Sequence, residues 1–240
     1  MPAFFVHGVP ETHHLWDSIR SHLSRTDIIA PDMPGFGCDT PAGFNCTKEE
    51  YLAWLIAEVE KVGEPVDIIG HDWGAGLAER LVMLRPDLVR TWAAGGFHID
   101  EEYVWHNFAQ MWQTPGMGEQ VMQGFTVDAI VTILSNDGVP EDVARGMASR
   151  FDDRMKAAIL PLYRSAVTYM KEWGPELRPI GKPGLLLWGA DDPYMQLRFA
   201  QRMAERTGAE IIAFENTSHW WSAQRPAESA AALERLWGRA

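Results

Sequence analysis

The stretch Val66-Asp67-Ile68-Ile69-Gly70-His71-Asp72-Trp73-Gly74-Ala75 decides how the rest of the chain is interpreted. Its first half is a mostly apolar run that ends in glycine, which is typical of a buried parallel strand, and a helical pattern starts at Ala75. So tight a turn needs glycine on both flanks, because a Cβ there would meet the neighbouring strand or helix. We therefore expect the Asp72 carboxylate to stand at a helix N-terminus, where the helix dipole favours an anion.

Five further strand-like runs flank this stretch, and helical patterns separate most of them. The runs cover residues 4–8, 27–31, 91–94, 184–188 and 210–214. The helical patterns cover residues 47–62, 75–84, 198–206 and a last segment from Pro226, the first opening with a capping box at Thr47 and Glu50. Strands that alternate with helices predict an α/β fold, with a mostly parallel sheet of about six strands and helices on both faces.

The alternation stops between residues 98 and 179, where the pattern is helical and rich in Trp, Met and Phe. A strand-free insertion of this length predicts a helical cap over the carboxyl edge of the sheet. The predicted organisation is a core formed by residues 1–97 and 180–240, with the cap over residues 98–179.

Composition and charge exclude some partners. Apolar residues make up 46% and charged residues 22% of the 240 residues, the balance of a globular protein. This length accommodates one α/β domain with an insertion. The formal charge of −12 argues against nucleic acid or an anionic membrane surface as a partner, because their phosphates would repel the protein.

The expected location is the cytoplasm. No apolar run approaches the roughly 20 residues that a membrane-spanning helix needs. The first residues show no basic region followed by a long apolar segment, so no signal peptide is predicted. Cys38 and Cys46 fit no metal-ligand pattern, and we interpret them as free thiols.

Two segments late in the chain supply partners for Asp72. Gly189-Ala190-Asp191-Asp192-Pro193 follows a predicted strand and offers an acid, while His219 follows the last strand and offers a base. The order nucleophile, acid, histidine is the one expected when the nucleophile lies on a strand-to-helix turn of this kind. From the residues alone, Asp191 and Asp192 both remain candidates for the acid.

An oxyanion hole is predicted beside Asp72. The first strand ends in His7-Gly8-Val9-Pro10, and the backbone N–H of Val9 can converge with that of Trp73 on one oxygen. Two such donors stabilise a negative charge that develops during a reaction.

These motifs resemble the aspartate-nucleophile branch of the α/β-hydrolase superfamily, the epoxide hydrolases and haloalkane dehalogenases. The motifs His-Gly-x-Pro, Asp-x-Pro-Gly-x-Gly and Gly-His-Asp-Trp-Gly stand at residues 7–10, 32–37 and 70–74, and cap segments at 112–116 and 162–165 are also similar. The spacing of the family places Asp192 as the acid. The chain departs from the family at Ser218, where glycine is usual. The usual first two strands are also absent from it, which leaves a sheet edge uncovered, and a homodimer across that edge is one hypothesis.

The resemblance implies covalent catalysis with water as the second reactant. Asp72 would attack a saturated carbon and form an alkyl ester, which His219, oriented by Asp192, would hydrolyse. No metal or organic cofactor is implied. The substrate is expected to be small and apolar, bound by Phe108, Trp112, Tyr163 and Trp220.

The leaving group separates two activities. An epoxide needs an O–H donor, and Tyr163 matches the second of two tyrosines in epoxide hydrolases. Phe108 stands where the first is expected and cannot donate, although Tyr103 or Tyr169 offer substitutes. This pattern narrowly favours an epoxide hydrolase.

A halide needs N–H donors instead, and the indole of Trp73 supplies one. Val9 stands where a second donor, an asparagine, is often found, which leaves the cap tryptophans Trp105, Trp112 or Trp173. A haloalkane dehalogenase is therefore the alternative. A non-catalytic ligand-binding protein on the same fold is a further alternative, because a fold does not fix a function.

Overall fold

A computed structural model describes residues 1–174 and 180–239, whose strands form one parallel sheet in the order β2-β1-β3-β4-β5-β6. The strands are β1 (Ala3–Val6), β2 (Ile28–Ile29), β3 (Val66–His71), β4 (Val89–Gly95), β5 (Gly184–Gly189) and β6 (Glu210–Phe214). The predicted α/β fold with six strands is confirmed. The run predicted over residues 27–31 forms only a two-residue edge strand, because Pro31 has no N–H to donate and Arg25 binds the Asp27 carboxylate.

Six α-helices surround the sheet in the parts of the chain outside the predicted cap. They are α1 (Asp17–Arg20), α2 (Lys48–Glu60), α3 (Trp73–Leu84), α10 (Leu197–Thr207), α11 (Trp221–Gln224) and α12 (Pro226–Trp237), with short 3₁₀ helices at His13–Trp16 and Pro86–Leu88. The capping box of Thr47 and Glu50 opens α2 as predicted. The central helix α3 follows β3 directly and is buried along most of its length.

The described residues between β4 and β5 contain helices and no strand, as the sequence indicates. The helices are α4 (Asn107–Gln113), α5 (Met117–Gly124), α6 (Val127–Asn136), α7 (Glu141–Ser149), α8 (Asp153–Ser165) and α9 (Tyr169–Trp173). The cap boundaries at residues 98 and 179 stay predictions, and residue 179 lies outside the described residues. None of the helices in the described ranges is both long and apolar enough to cross a bilayer.

The sheet order places the candidate site. Connections run from β1 to β2 in one direction and from β3 to β6 in the other, so the order reverses between β1 and β3. Ligands of open parallel sheets bind where the order reverses, at the carboxyl ends of the strands. Val9 follows β1 and Asp72 follows β3, which places both at this point.

Two glycines allow the turn between β3 and α3. A Cβ on Gly70 would lie 2.2 Å from the carbonyl oxygen of Gly74, and a Cβ on Gly74 would lie 2.2 Å from that of Val6. Both contacts are with backbone atoms, which cannot move aside as a side chain can.

We expect Gly74→Ala to lower the free energy of unfolding by about 3 kcal/mol, because the added methyl overlaps the backbone of β1. Urea unfolding followed by circular dichroism measures the change. Gly124→Ala is the control, since no atom lies within 4 Å of its added Cβ, and it should stabilise the helix end by about 0.5 kcal/mol. Equal stability of Gly74→Ala and the parent chain would contradict the packing of this turn.

Candidate active site

Asp72 occupies a strained backbone conformation at the end of β3. Its φ is 49° and its ψ is −122°, a region that side chains other than glycine rarely adopt. Its N–H donates to the carbonyl oxygen of Gly95 on the neighbouring strand, at 2.9 Å. This conformation directs the carboxylate away from the sheet at the start of α3, as the sequence predicts.

The structure brings the three predicted catalytic side chains together. His219 Nε2 lies 3.6 Å from Asp72 Oδ2, and its Nδ1 lies 2.9 Å from Asp192 Oδ2. The other Asp192 oxygen accepts the N–H groups of Tyr194 and Met195, which fixes the carboxylate. Asp191 is exposed, so the geometry selects Asp192 as the partner of His219.

The two predicted oxyanion donors both reach the Asp72 carboxylate. The N–H of Val9 donates to Asp72 Oδ1 at 2.8 Å, and a hydrogen bond from the N–H of Trp73 also acts on this carboxylate. Burial raises the pKa of Asp72, but the hydrogen bonds and the charges of His219 and His71 outweigh it and hold this pKa below its usual range. Asp72 is therefore ionised, with Oδ1 in the predicted oxyanion hole and Oδ2 facing His219.

His219 lies between two carboxylates. Burial lowers its pKa, but the charges of Asp192 and Asp72 and their hydrogen bonds raise it well above its ordinary value. The imidazolium form is therefore favoured while Asp72 carries its charge. A change that neutralises Asp72 would favour the neutral imidazole, which is the form that can act as a base.

A buried pair beneath His219 was not predicted from the sequence. Glu11 is 2% exposed, and its Oε1 lies 2.6 Å from Nδ1 of His71, whose Nε2 donates to the carbonyl oxygen of His219 at 2.9 Å. The second oxygen of Glu11 accepts the N–H of Gly8 at 2.6 Å. Glu11 thus links the loop of the oxyanion hole to the loop of His219.

A cavity with about 750 Å³ of space not filled by atoms, part of it open to solvent, lies above Asp72 and His219. All four residues predicted to bind substrate line it: Phe108, Trp112, Tyr163 and Trp220. Most of its remaining wall is aromatic or aliphatic, which suits an apolar ligand.

Three tyrosines line the cavity, Tyr103, Tyr163 and Tyr194. The hydroxyl of Tyr194 is occupied, since it donates to Asp137 Oδ2 at 2.7 Å. Burial and then the charge of Asp72 raise the pKa of Tyr163 well above 10 and that of Tyr103 as well, so both remain protonated. Tyr169, the other substitute weighed for the position of Phe108, is fully buried outside the cavity wall.

Sequence patterns did not single out His106, which also lines the cavity. Its Nδ1 accepts the N–H of Ala109 at 3.3 Å and so caps α4. Burial lowers the pKa of His106 to about 4. The ring is therefore neutral near pH 7 and carries its proton on Nε2.

Two of the four tryptophans considered as halide donors line the cavity and two do not. Trp73 stacks on Phe97 and Trp105 with ring centroids 6.0 and 5.9 Å away, and it is not among the residues that line the cavity. Trp173 also lies outside the cavity wall, against Tyr169. Trp105 and Trp112 do line it, and their buried indole nitrogens have no hydrogen-bond partner among the described residues.

The fold and the site define a hydrolase built on a parallel sheet with its reactive groups at the carboxyl edge. The model of the alpha/beta hydrolase family matches residues 3–232, so the chain belongs to that family. Within residues 1–174 and 180–239, no group of three or more His, Cys, Asp or Glu side chains is arranged to hold a metal ion.

Known proteins are similar to the chain over different lengths. The AB hydrolase superfamily protein YfhM of Bacillus subtilis is 24% identical over 92% of this chain and 85% of its own length. A haloalkane dehalogenase of Bradyrhizobium diazoefficiens is 33% identical over 44% of this chain and 34% of its own length. The crystal structure of the epoxide hydrolase VrEH1 from Vigna radiata superposes with a TM-score of 0.84, 19% identity, and coverage of 100% of this chain and 92% of that one.

We expect Glu11→Gln to lower the free energy of unfolding by about 3 kcal/mol, because it replaces a buried carboxylate oxygen that lies 2.6 Å from Nδ1 of His71. Urea unfolding at pH 7 gives the value. Glu205→Gln, on the exposed side of α10, is the control and should leave stability unchanged. Equal effects of the two substitutions would show that the contact between Glu11 and His71 does not stabilise the fold.

We expect Asp72→Asn to lower the pKa of His219, because it removes one of the two charges that raise it. Titration of the imidazole nitrogens by NMR measures this pKa directly. Asp191→Asn changes an exposed carboxylate on the same side of the sheet and should leave the His219 pKa where it is. An unchanged pKa in Asp72→Asn would mean that the two groups are not coupled.

Proposed function

We propose that the chain is an epoxide hydrolase that uses Asp72 as a covalent nucleophile on a small apolar epoxide. The observation that carries the proposal is the composition of the cavity wall. It combines an ionised carboxylate, Asp72, with two protonated tyrosines, Tyr163 and Tyr103. Opening an epoxide requires these two kinds of group, a nucleophile for carbon and an acid for oxygen.

The first half-reaction forms an ester. Asp72 Oδ2 attacks an epoxide carbon, the bond between that carbon and the epoxide oxygen breaks, and Tyr163 donates its proton to that oxygen. Loss of the Asp72 charge lowers the pKa of His219, whose proton returns to the tyrosinate. The site then holds a hydroxyalkyl ester, a neutral His219 and an intact Tyr163.

The second half-reaction hydrolyses this ester. His219 takes one proton from water, and the hydroxide adds to Cγ of Asp72 while the N–H groups of Val9 and Trp73 stabilise the negative charge on Oδ1. The bond from Cγ to Oδ2 breaks, and the diol leaves with that oxygen. The second proton of the water passes to the departing alkoxide, which restores the Asp72 carboxylate and leaves His219 protonated.

One observation favours haloalkane dehalogenation as the second candidate. The indole nitrogens of Trp105 and Trp112 are unpartnered N–H donors in the wall of the same cavity. The partial similarity to a haloalkane dehalogenase agrees with this reading. The position of Trp73 favours the epoxide, because its indole is stacked away from the cavity wall.

The test is intact-mass spectrometry of His219→Gln incubated with epoxides, including styrene oxide, and with haloalkanes, including 1-bromobutane. We expect His219→Gln to accumulate the ester, because attack by Asp72 does not need His219 but hydrolysis does. A mass increase equal to the whole epoxide is the expected result. The control is the double variant Asp72→Asn with His219→Gln, which should gain no mass.

The other outcomes separate the alternatives. A mass increase equal to an alkyl group without its halogen would assign the dehalogenase reaction instead. If no compound of either class gives an adduct, Asp72 is not the nucleophile for these substrates. Tight binding of an apolar ligand without turnover would then support a ligand-binding protein.

A further inference from the structure

The ring of His219 is held between two aromatic side chains of the cavity wall. Tyr194 and Trp220 lie against it nearly perpendicularly, with ring centroids 5.2 and 5.1 Å away. Both side chains donate a hydrogen bond to the same atom, Asp137 Oδ2. The Tyr194 hydroxyl lies 2.7 Å from it and the Trp220 indole nitrogen 3.4 Å. A single carboxylate oxygen therefore fixes both neighbours of His219.

Asp137 belongs to the helical insertion, not to the sheet. It directly follows α6, and its own N–H closes the last turn of that helix on Ile133. Tyr194, by contrast, belongs to the loop after β5 that carries Asp192, and its N–H donates to Asp192 Oδ1. Trp220 directly follows His219. The three hydrogen-bonded residues thus come from three separate segments.

Ser218 and Gln224 strengthen the same connection. The hydroxyl of Ser218 donates to the carbonyl oxygen of Asp137 at 2.5 Å. The Gln224 amide accepts the N–H of Ser218 at 2.8 Å and donates to the carbonyl oxygen of Gly138 at 3.1 Å. These bonds also explain why serine, and not glycine, precedes His219, because glycine has no hydroxyl to reach Asp137.

We propose that Asp137 is a positioning residue that couples the geometry of His219 and Asp192 to the packing of α6 against their two loops. The inference rests on the proposed function, because it concerns the hydrolysis of the Asp72 ester. While Asp137 accepts the hydrogen bonds of Tyr194 and Trp220, these two rings confine the imidazole. Tyr194 also holds the loop of Asp192 in place. Displacement of α6 would break the hydrogen bonds of Tyr194 and Trp220 to Asp137 together. Both rings would then confine the imidazole less tightly, and Asp192 alone would orient it through Nδ1.

The two half-reactions provide the test, because only the second needs His219. We expect Asp137→Ala to slow ester hydrolysis about 10- to 100-fold, as for a misplaced catalytic group, while ester formation stays nearly unchanged. Rapid-quench mixing with styrene oxide, read by intact mass, follows both rates. The ester should therefore accumulate in Asp137→Ala as it does in His219→Gln. Asp137→Asn keeps an oxygen that accepts from Tyr194 and should recover part of the hydrolysis rate.

The matched control is Asn136→Ala, one residue earlier, whose side chain is exposed and which should hydrolyse the ester at the parent rate. Equal slowing of both half-reactions in Asp137→Ala, or equal slowing in Asn136→Ala, would overturn the proposal. If His219→Gln forms the ester but Asp137→Ala does not accumulate it, the coupling alone fails. If His219→Gln forms no ester, the proposed function itself fails.

Hydrogen exchange tests the coupling without a substrate. We expect Asp137→Ala and the milder Tyr194→Phe to speed amide exchange both in α6 and in residues 217–222, because each variant removes a bond between them. Exchange that rises in α6 alone would show that the loop of His219 is held independently of the insertion, and the proposal would be wrong.

Discussion

A carboxylate enclosed by aromatic side chains stays ionised only if nearby groups replace the water that it has lost. At Asp72 these groups are the N–H of Val9, the N–H of Trp73 and the imidazole of His219. His71 lies directly before Asp72 in the chain. These residues come from three places in the chain: the loop after β1, the two residues that flank Asp72, and the loop after β6. The sheet order and the tight turn after β3 bring these places together. The strained conformation of Asp72 is tolerated because the surrounding backbone fixes it on both sides.

In the proposed reaction, the same charges would set the order of the two half-reactions. While Asp72 is ionised, the raised pKa of His219 favours the imidazolium form, which is not a base. Ester formation, as proposed, would neutralise Asp72 and lower the pKa of His219, so that the imidazole becomes a base at the step that needs one. In this mechanism the charge of Asp72 would determine whether His219 is protonated, and Asp192 would keep the imidazole oriented in both states.

The sequence predicts those parts of the site that a short local pattern can identify. Apolar runs mark the six strands locally. Asp72, Asp192 and His219 each come shortly after the end of a strand. Glu11 and Asp137 could not be predicted, because each acts on residues more than 50 positions away and neither lies in a pattern of its own. Nothing in the sequence separated Tyr103 from Tyr169, since only the packing of the helices places one in the cavity and buries the other outside it.

The choice between an epoxide and a haloalkane depends on the side chains that the helices between β4 and β5 place in the cavity. An alkoxide is strongly basic and must receive a proton as it forms, whereas a halide needs only donors that stabilise its charge. Tyr163 and Tyr103 are both protonated near pH 7, so in the proposed reaction a proton would be available when the epoxide opens. Phe108 removes one donor from the expected place, and Tyr103 supplies a hydroxyl to the same cavity from an earlier segment. Two tyrosine hydroxyls, those of Tyr163 and Tyr103, thus belong to residues of the cavity wall. Only Tyr163 stands at a position that the family motifs indicate.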